Sequence, residues 1–92
     1  MKVTRIDKSR EMIRKALDAA YGSYIEQEGK KNDQWRDQNI GPLGDHLKHE
    51  IEEVMTNLRT GDFGYLLHNT MDAMELAAML YAKAQENLSK KL

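Results

Sequence analysis

Residues 43–59 read LGDHLKHEIEEVMTNLR, residues 60–64 TGDFG, and residues 65–82 YLLHNTMDAMELAAMLYA. In the first segment Leu43, Leu47, Ile51, Val54 and Leu58 recur at steps of three and four residues, one apolar stripe of a helix. Pro42 suits the first turn of that helix, and Gly61 suits the left-handed residue that ends one. The spacing predicts a helix over 43–59. The segment after the glycines is apolar nearly all round, from Leu66 and Leu67 through Met71, Met74, Leu76, Met79, Leu80 and Tyr81. A helix of that kind, expected over 65–88, is central or shared with a partner chain. The loop Thr60–Gly64 is short, so the two helices are expected to be antiparallel neighbours.

Working outward, Met12, Ile13, Ala16, Leu17, Ala20, Tyr21, Tyr24 and Ile25 form a further stripe. It predicts a first helix over 9–28, capped by Asp7 or Ser9. Gly41-Pro42-Leu43-Gly44 and Gly61–Gly64 read as joints, and the tail NLSKKL as a frayed end. No strand window competes. The expected fold is all-α, a single three-helix domain over 1–92 with a hairpin of helices two and three. Composition agrees: there is one proline in 92 residues and few are β-branched.

The charge balance is near neutral, with Lys+Arg 14 against Asp+Glu 15. That excludes the basic footprint of a nucleic-acid binder and an acidic disordered tail. The absence of cysteine excludes disulfides, thiolate metal ligands and a thiol nucleophile. No apolar run approaches the roughly 20 residues of a membrane span. MKVTRIDKSREMIRK lacks the apolar core of a signal peptide, and a cytoplasmic chain is expected.

The chemistry lies in the carboxylates. On a helical wheel centred on Leu47, His46, Glu50, Glu53 and Asn57 fall on one flank of the apolar stripe, at about 240° to 300°. On helix three, His68, Asp72 and Glu75 lie within about 60° of each other. With the turn centred between Asp62 and Phe63, Glu53 comes level with Asp72, Glu50 with Glu75, and Asn57 with His68. Four facing carboxylates repel unless neutralised. Hard oxygen donors in a cluster suit Mg²⁺ or Mn²⁺, which also takes substrate phosphates. Glu50, Glu53, Asp72 and Glu75 are therefore the expected metal ligands, although an acidic strip of this kind is also an ordinary solvated helix face.

His49-Glu50-x-x-Glu53 lacks the second histidine of a zinc-protease motif. His46, His49 and His68 are first read as hydrogen-bonding groups. Trp35 is able to stack on a base, but a lone tryptophan is more often a packing anchor. Arg36, Lys48, Arg59 and Lys83 are phosphate-contact candidates, each by default a surface charge.

The stretch from Trp35 to Lys83 resembles the MazG-like all-α nucleotide pyrophosphohydrolases, especially short phage-type members. The residues that carry the resemblance are Trp35, Leu47-Lys48-His49-Glu50-Ile51-Glu52-Glu53-Val54, and Asp72-Ala73-Met74-Glu75-Leu76-Ala77-Ala78-Met79-Leu80-Tyr81. Glu50 and Glu53 match the second and third acids of the family's EExxE, with His49 at the first. Asp72 matches the aspartate of its ExxD, with Asn69 at the glutamate. A rival register sets Glu75–Ala78 on the family's ELAD pattern.

The resemblance implies Mg²⁺- or Mn²⁺-dependent cleavage of a nucleoside triphosphate to monophosphate and pyrophosphate. Glu50 and Glu53 would be the catalytic carboxylates. On their own chemistry Trp35, His49, His68 and Lys83 are expected as weak substrate contacts. The resemblance also implies a homodimer or homotetramer, and from charge and hydropathy neither a nucleic-acid polymer nor a membrane is expected as partner. The departures at His49 and Asn69 keep open a catalytically inactive helical oligomer that serves as a binding module.

Overall fold

A computed structural model of the chain describes residues 2–91. It contains three helices, α1 (Arg5–Lys31), α2 (Ile40–Thr60) and α3 (Phe63–Lys91), and one 3-10 turn (Gln34–Asp37) between α1 and α2. There is no strand among the described residues. None of these helices is long and apolar enough to cross a membrane.

Each helix outruns its expected bounds, for local reasons. Thr4 caps α1: its hydroxyl accepts the Asp7 N–H at 3.0 Å, and Asp7 Oδ2 accepts the Thr4 N–H at 3.1 Å. This reciprocal box satisfies two otherwise unpaired donors and moves the start four residues ahead of Ser9. Asp7 is thus the third helical residue of the box, and neither it nor Ser9 is the cap. Pro42 sits in the first turn of α2, where a missing N–H breaks no intrahelical bond. The helix therefore runs through Gly41 and Gly44, and the joint expected there lies instead at 32–39.

Gly61 ends α2 at φ 72°, and Asp62 Oδ1 accepts the Tyr65 N–H at 3.2 Å as the cap of α3. Two residues make the whole link, so Phe63 and Gly64 belong to α3 and not to a loop. The tail is helical to Lys91 rather than frayed from Asn87.

α3 is the element on which the other two pack. α2 runs along it antiparallel, and the bond from Asn69 Nδ2 to Asn57 Oδ1, 2.7 Å, ties them near the turn. α1 also packs on α3, and its covered residues, Ala20, Ser23, Tyr24 and Glu28, lie in its C-terminal half. At the far end Lys83 Nζ donates to the Arg36 carbonyl, and the Arg36 guanidinium lies 4.0 Å from Glu86, so α3 holds the 3-10 turn.

The buried apolar residues are few: Ala20, Leu43 and Leu76. α2 covers its apolar stripe unevenly. Leu43 and Glu50 are buried and Leu47, Val54 and Asn57 half-buried, whereas Ile51, Met55 and Leu58 stay 48%, 53% and 52% exposed. The covered line is rotated about 40° from the stripe, toward its acidic flank. The radius of gyration is 15.7 Å, against about 12 Å for a compact chain of this length.

A candidate carboxylate cleft between the helices

The rotation of α2 brings polar side chains between the helices. A cleft of about 570 Å³ opens there, a size common for small-ligand sites. Leu43, His46 and Glu50 line it from α2, and Asp72, Glu75, Leu76 and Met79 from α3. The last two turns of α1 close one side with Tyr24, Gln27, Glu28, Lys30 and Lys31, and the link to α2 adds Asn32, Gln34, Trp35 and Gln38.

Glu50 is buried, 9% exposed, and its Oε2 has no hydrogen-bond partner; Oε1 stands 3.7 Å from His46 Nε2. Glu75 Oε1 is likewise buried and unpartnered. Burial pushes the Glu75 carboxyl above the usual carboxylate range, and the neighbouring Asp72 charge adds to this. The Ser23 hydroxyl on α1 and His68 act in the opposite direction. His68 Nε2 lies 3.3 Å from Asp72 Oδ2. A carboxylate oxygen taken from water without a partner is costly, so two of them on the walls of one cleft are a free donor set. Its chemistry fits a hard divalent cation.

Glu53 lies elsewhere. Its Oε1 is 3.0 Å from His49 Nε2, and together with His49 and His68 it lines a second, shallower hollow beside Asn57 and Asn69. Asp72 lines the cleft but not that hollow. Asn57 bonds Asn69, the residue after the expected His68. Among the described residues, no group of three or more His, Asp or Glu side chains is arranged to hold a metal ion as it stands.

The other expected contacts are engaged in structure. Trp35 Nε1 donates to the Tyr24 hydroxyl at 3.0 Å, and that hydroxyl donates to Glu28 Oε2 at 2.8 Å. The Trp35 and Tyr24 rings meet edge to face, with centroids 6.3 Å apart. Lys83 secures Arg36, and Arg59 donates to the Thr56 hydroxyl at 3.2 Å. Sequence reasoning passed over Lys30, Lys31, Gln34 and Gln38. They border the cleft only because α1 and the 3-10 turn fold over α3, and no helical spacing signals that.

Comparison with protein-family models, with curated proteins and with solved structures finds no match to this chain.

Proposed function

We propose that the cleft binds a hard divalent cation, Mg²⁺ or Mn²⁺, and with it the phosphates of a nucleoside triphosphate, which is cleaved to the monophosphate and pyrophosphate. The observation that carries this reading is the pair of buried, unpartnered oxygens, Glu50 Oε2 and Glu75 Oε1, on opposing helices of one cleft. Glu50, Asp72 and Glu75 would hold the ion after small side-chain rotations. Glu53 stays outside this set, held by His49. The ion would supply charge neutralisation and Lewis-acid polarisation of phosphoryl oxygens. Lys30 and Lys31 on the rim supply positive charge for the remaining phosphates. The Glu50–His46 pair gives the proton released by the attacking water a place to go. The resemblance of Trp35–Lys83 to the MazG-like pyrophosphohydrolases supports the substrate class and a homo-oligomeric bundle.

A second reading is favoured by one specific observation: the acids are not arranged as a finished metal site. In that reading the chain is a non-catalytic helical binding module. A pyrophosphate-release screen over the common nucleoside triphosphates with Mg²⁺ or Mn²⁺, paired with thermal shift on the same ions, separates the two. Release together with a metal-dependent rise in melting temperature supports the hydrolase. Neither effect at millimolar Mn²⁺ leaves the binding module.

A further inference from the structure

Every residue from Arg5 to Ala19 is exposed, and burial begins only at Ala20. These 15 residues span about 22 Å at 1.5 Å each. The arm is nevertheless amphipathic. Ile6, Ile13 and Leu17, 64%, 63% and 56% exposed, lie on the same side of the helix as buried Ala20. A polar arm would need no cover, but this one continues the face that α1 buries against its own α3, past the edge of the hairpin.

A second apolar face is also open. Ile51 and Leu58 of the α2 stripe, with Met55 beside them, stay exposed. α1 packs chiefly on α3, and neither face is covered by the other within the chain, since both stay exposed.

We infer that these two faces cover each other between copies: the α1 arm of one protomer lies on the Ile51–Leu58 face of its partner's α2, and the exchange is mutual about a two-fold axis. Two quantities select a second copy of this chain. The first is area. The chain exposes 7642 Å², against about 5,500 Å² for a folded monomer of its mass. Burying that excess on both copies removes about 4,000 Å² in all, which falls in the range of obligate homodimers. The second is charge. The arm carries Arg5, Lys8, Arg10, Arg14 and Lys15 against Asp7, Glu11 and Asp18, a net charge of +2. Apart from Glu50, which is buried in the cleft, α2 carries Asp45, Glu52 and Glu53 against Lys48 and Arg59, a net charge of −1. Asp72 and Glu75 of α3 line the cleft, and the rest of that helix carries Lys83, Lys90 and Lys91 against Glu86, a net charge of +2 that offers the basic arm no such attraction. Mutual use of one patch pair closes the assembly at two copies. The cleft chemistry plays no part in this inference.

The test uses the full chain. Light scattering at micromolar concentration is expected to give twice the 10.6 kDa of one chain; a mass of one chain overturns the proposal. The chain has no cysteine, so a Leu17→Cys chain mixed with a Met55→Cys chain reports the pairing directly, without relying on a disruptive variant. Oxidation of the mixture is expected to link the two kinds of chain. Leu17→Cys chains linked only to each other would show arm against arm, and Met55→Cys chains linked only to each other would show α2 against α2; either overturns the exchange. Ile13→Asp is expected to weaken association at least tenfold, and an unchanged mass at all concentrations overturns the role of the arm.

Discussion

Asn69 Nδ2 on α3 donates to Asn57 Oδ1 on α2 across 2.7 Å, and this bond marks the register of the hairpin. Asn69 is 8% exposed and Asn57 half-buried, so each amide depends on the other for satisfaction. Asn69→Ala is expected to lower unfolding free energy by about 1–2 kcal/mol, since it strands the Asn57 carbonyl. A double-mutant cycle with Asn57→Ala, read by urea unfolding, is expected to return a coupling of about 1 kcal/mol.

Glu50 and Glu75 bury unpartnered oxygens facing one cleft. Glu50→Gln removes a buried charge and keeps the shape, so the metal-free protein is expected to melt at the same or a higher temperature. The same change is expected to weaken Mn²⁺ binding at least tenfold by titration calorimetry. Loss of stability without change in Mn²⁺ uptake would place Glu50 outside the ion's shell.

The Glu75 carboxyl is raised in the folded state, so the folded chain binds its proton more tightly than the unfolded chain. Stability from this group is therefore complete below the usual carboxylate value of 4.5 and is lost as pH rises through the raised folded value. Glu75→Gln abolishes that dependence. The variant is expected to gain on the native chain as pH rises from 4 to 7, measured as the difference in melting temperature. Cation binding needs the ionised form and is expected to strengthen over the same interval.

Trp35 is half-buried, with its indole N–H on the Tyr24 hydroxyl. Trp35→Phe is expected to keep the fold and cost about 1 kcal/mol for the lost hydrogen bond. Trp35→Ala is expected to cost about 2 kcal/mol, below the range for a fully buried aromatic. Chemical denaturation checks both. A stable Ala variant that fails to bind nucleotide would reassign Trp35 to base stacking.

Two glycines with open space around them should respond in opposite directions. Gly61 sits at φ 72°, so Gly61→Ala is expected to destabilise by about 1 kcal/mol through backbone strain alone. Gly44 has ordinary helical backbone within α2, and Gly44→Ala is expected to stabilise by about 0.5–1 kcal/mol.

The helices themselves were legible in the residues. Stripes such as Leu43–Leu58 and stops such as Gly61 act within a turn or two of chain, so their period and chemistry declare a helix whatever surrounds it. The acids Glu50, Asp72 and Glu75 could be singled out for the same reason, as polar strips on apolar helices. Which of them meet was a tertiary matter. One residue more or less in the link turns a helix by about 100°, and the packing of the two helices decides that Asn57 bonds Asn69 and that Glu53, held by His49, lines a different hollow from Asp72. The inward flank of α2 likewise depends on packing, because a stripe wider than one neighbour has two ways to be covered. Here α3 takes the flank with Glu50, and Ile51, Met55 and Leu58 are left for another surface.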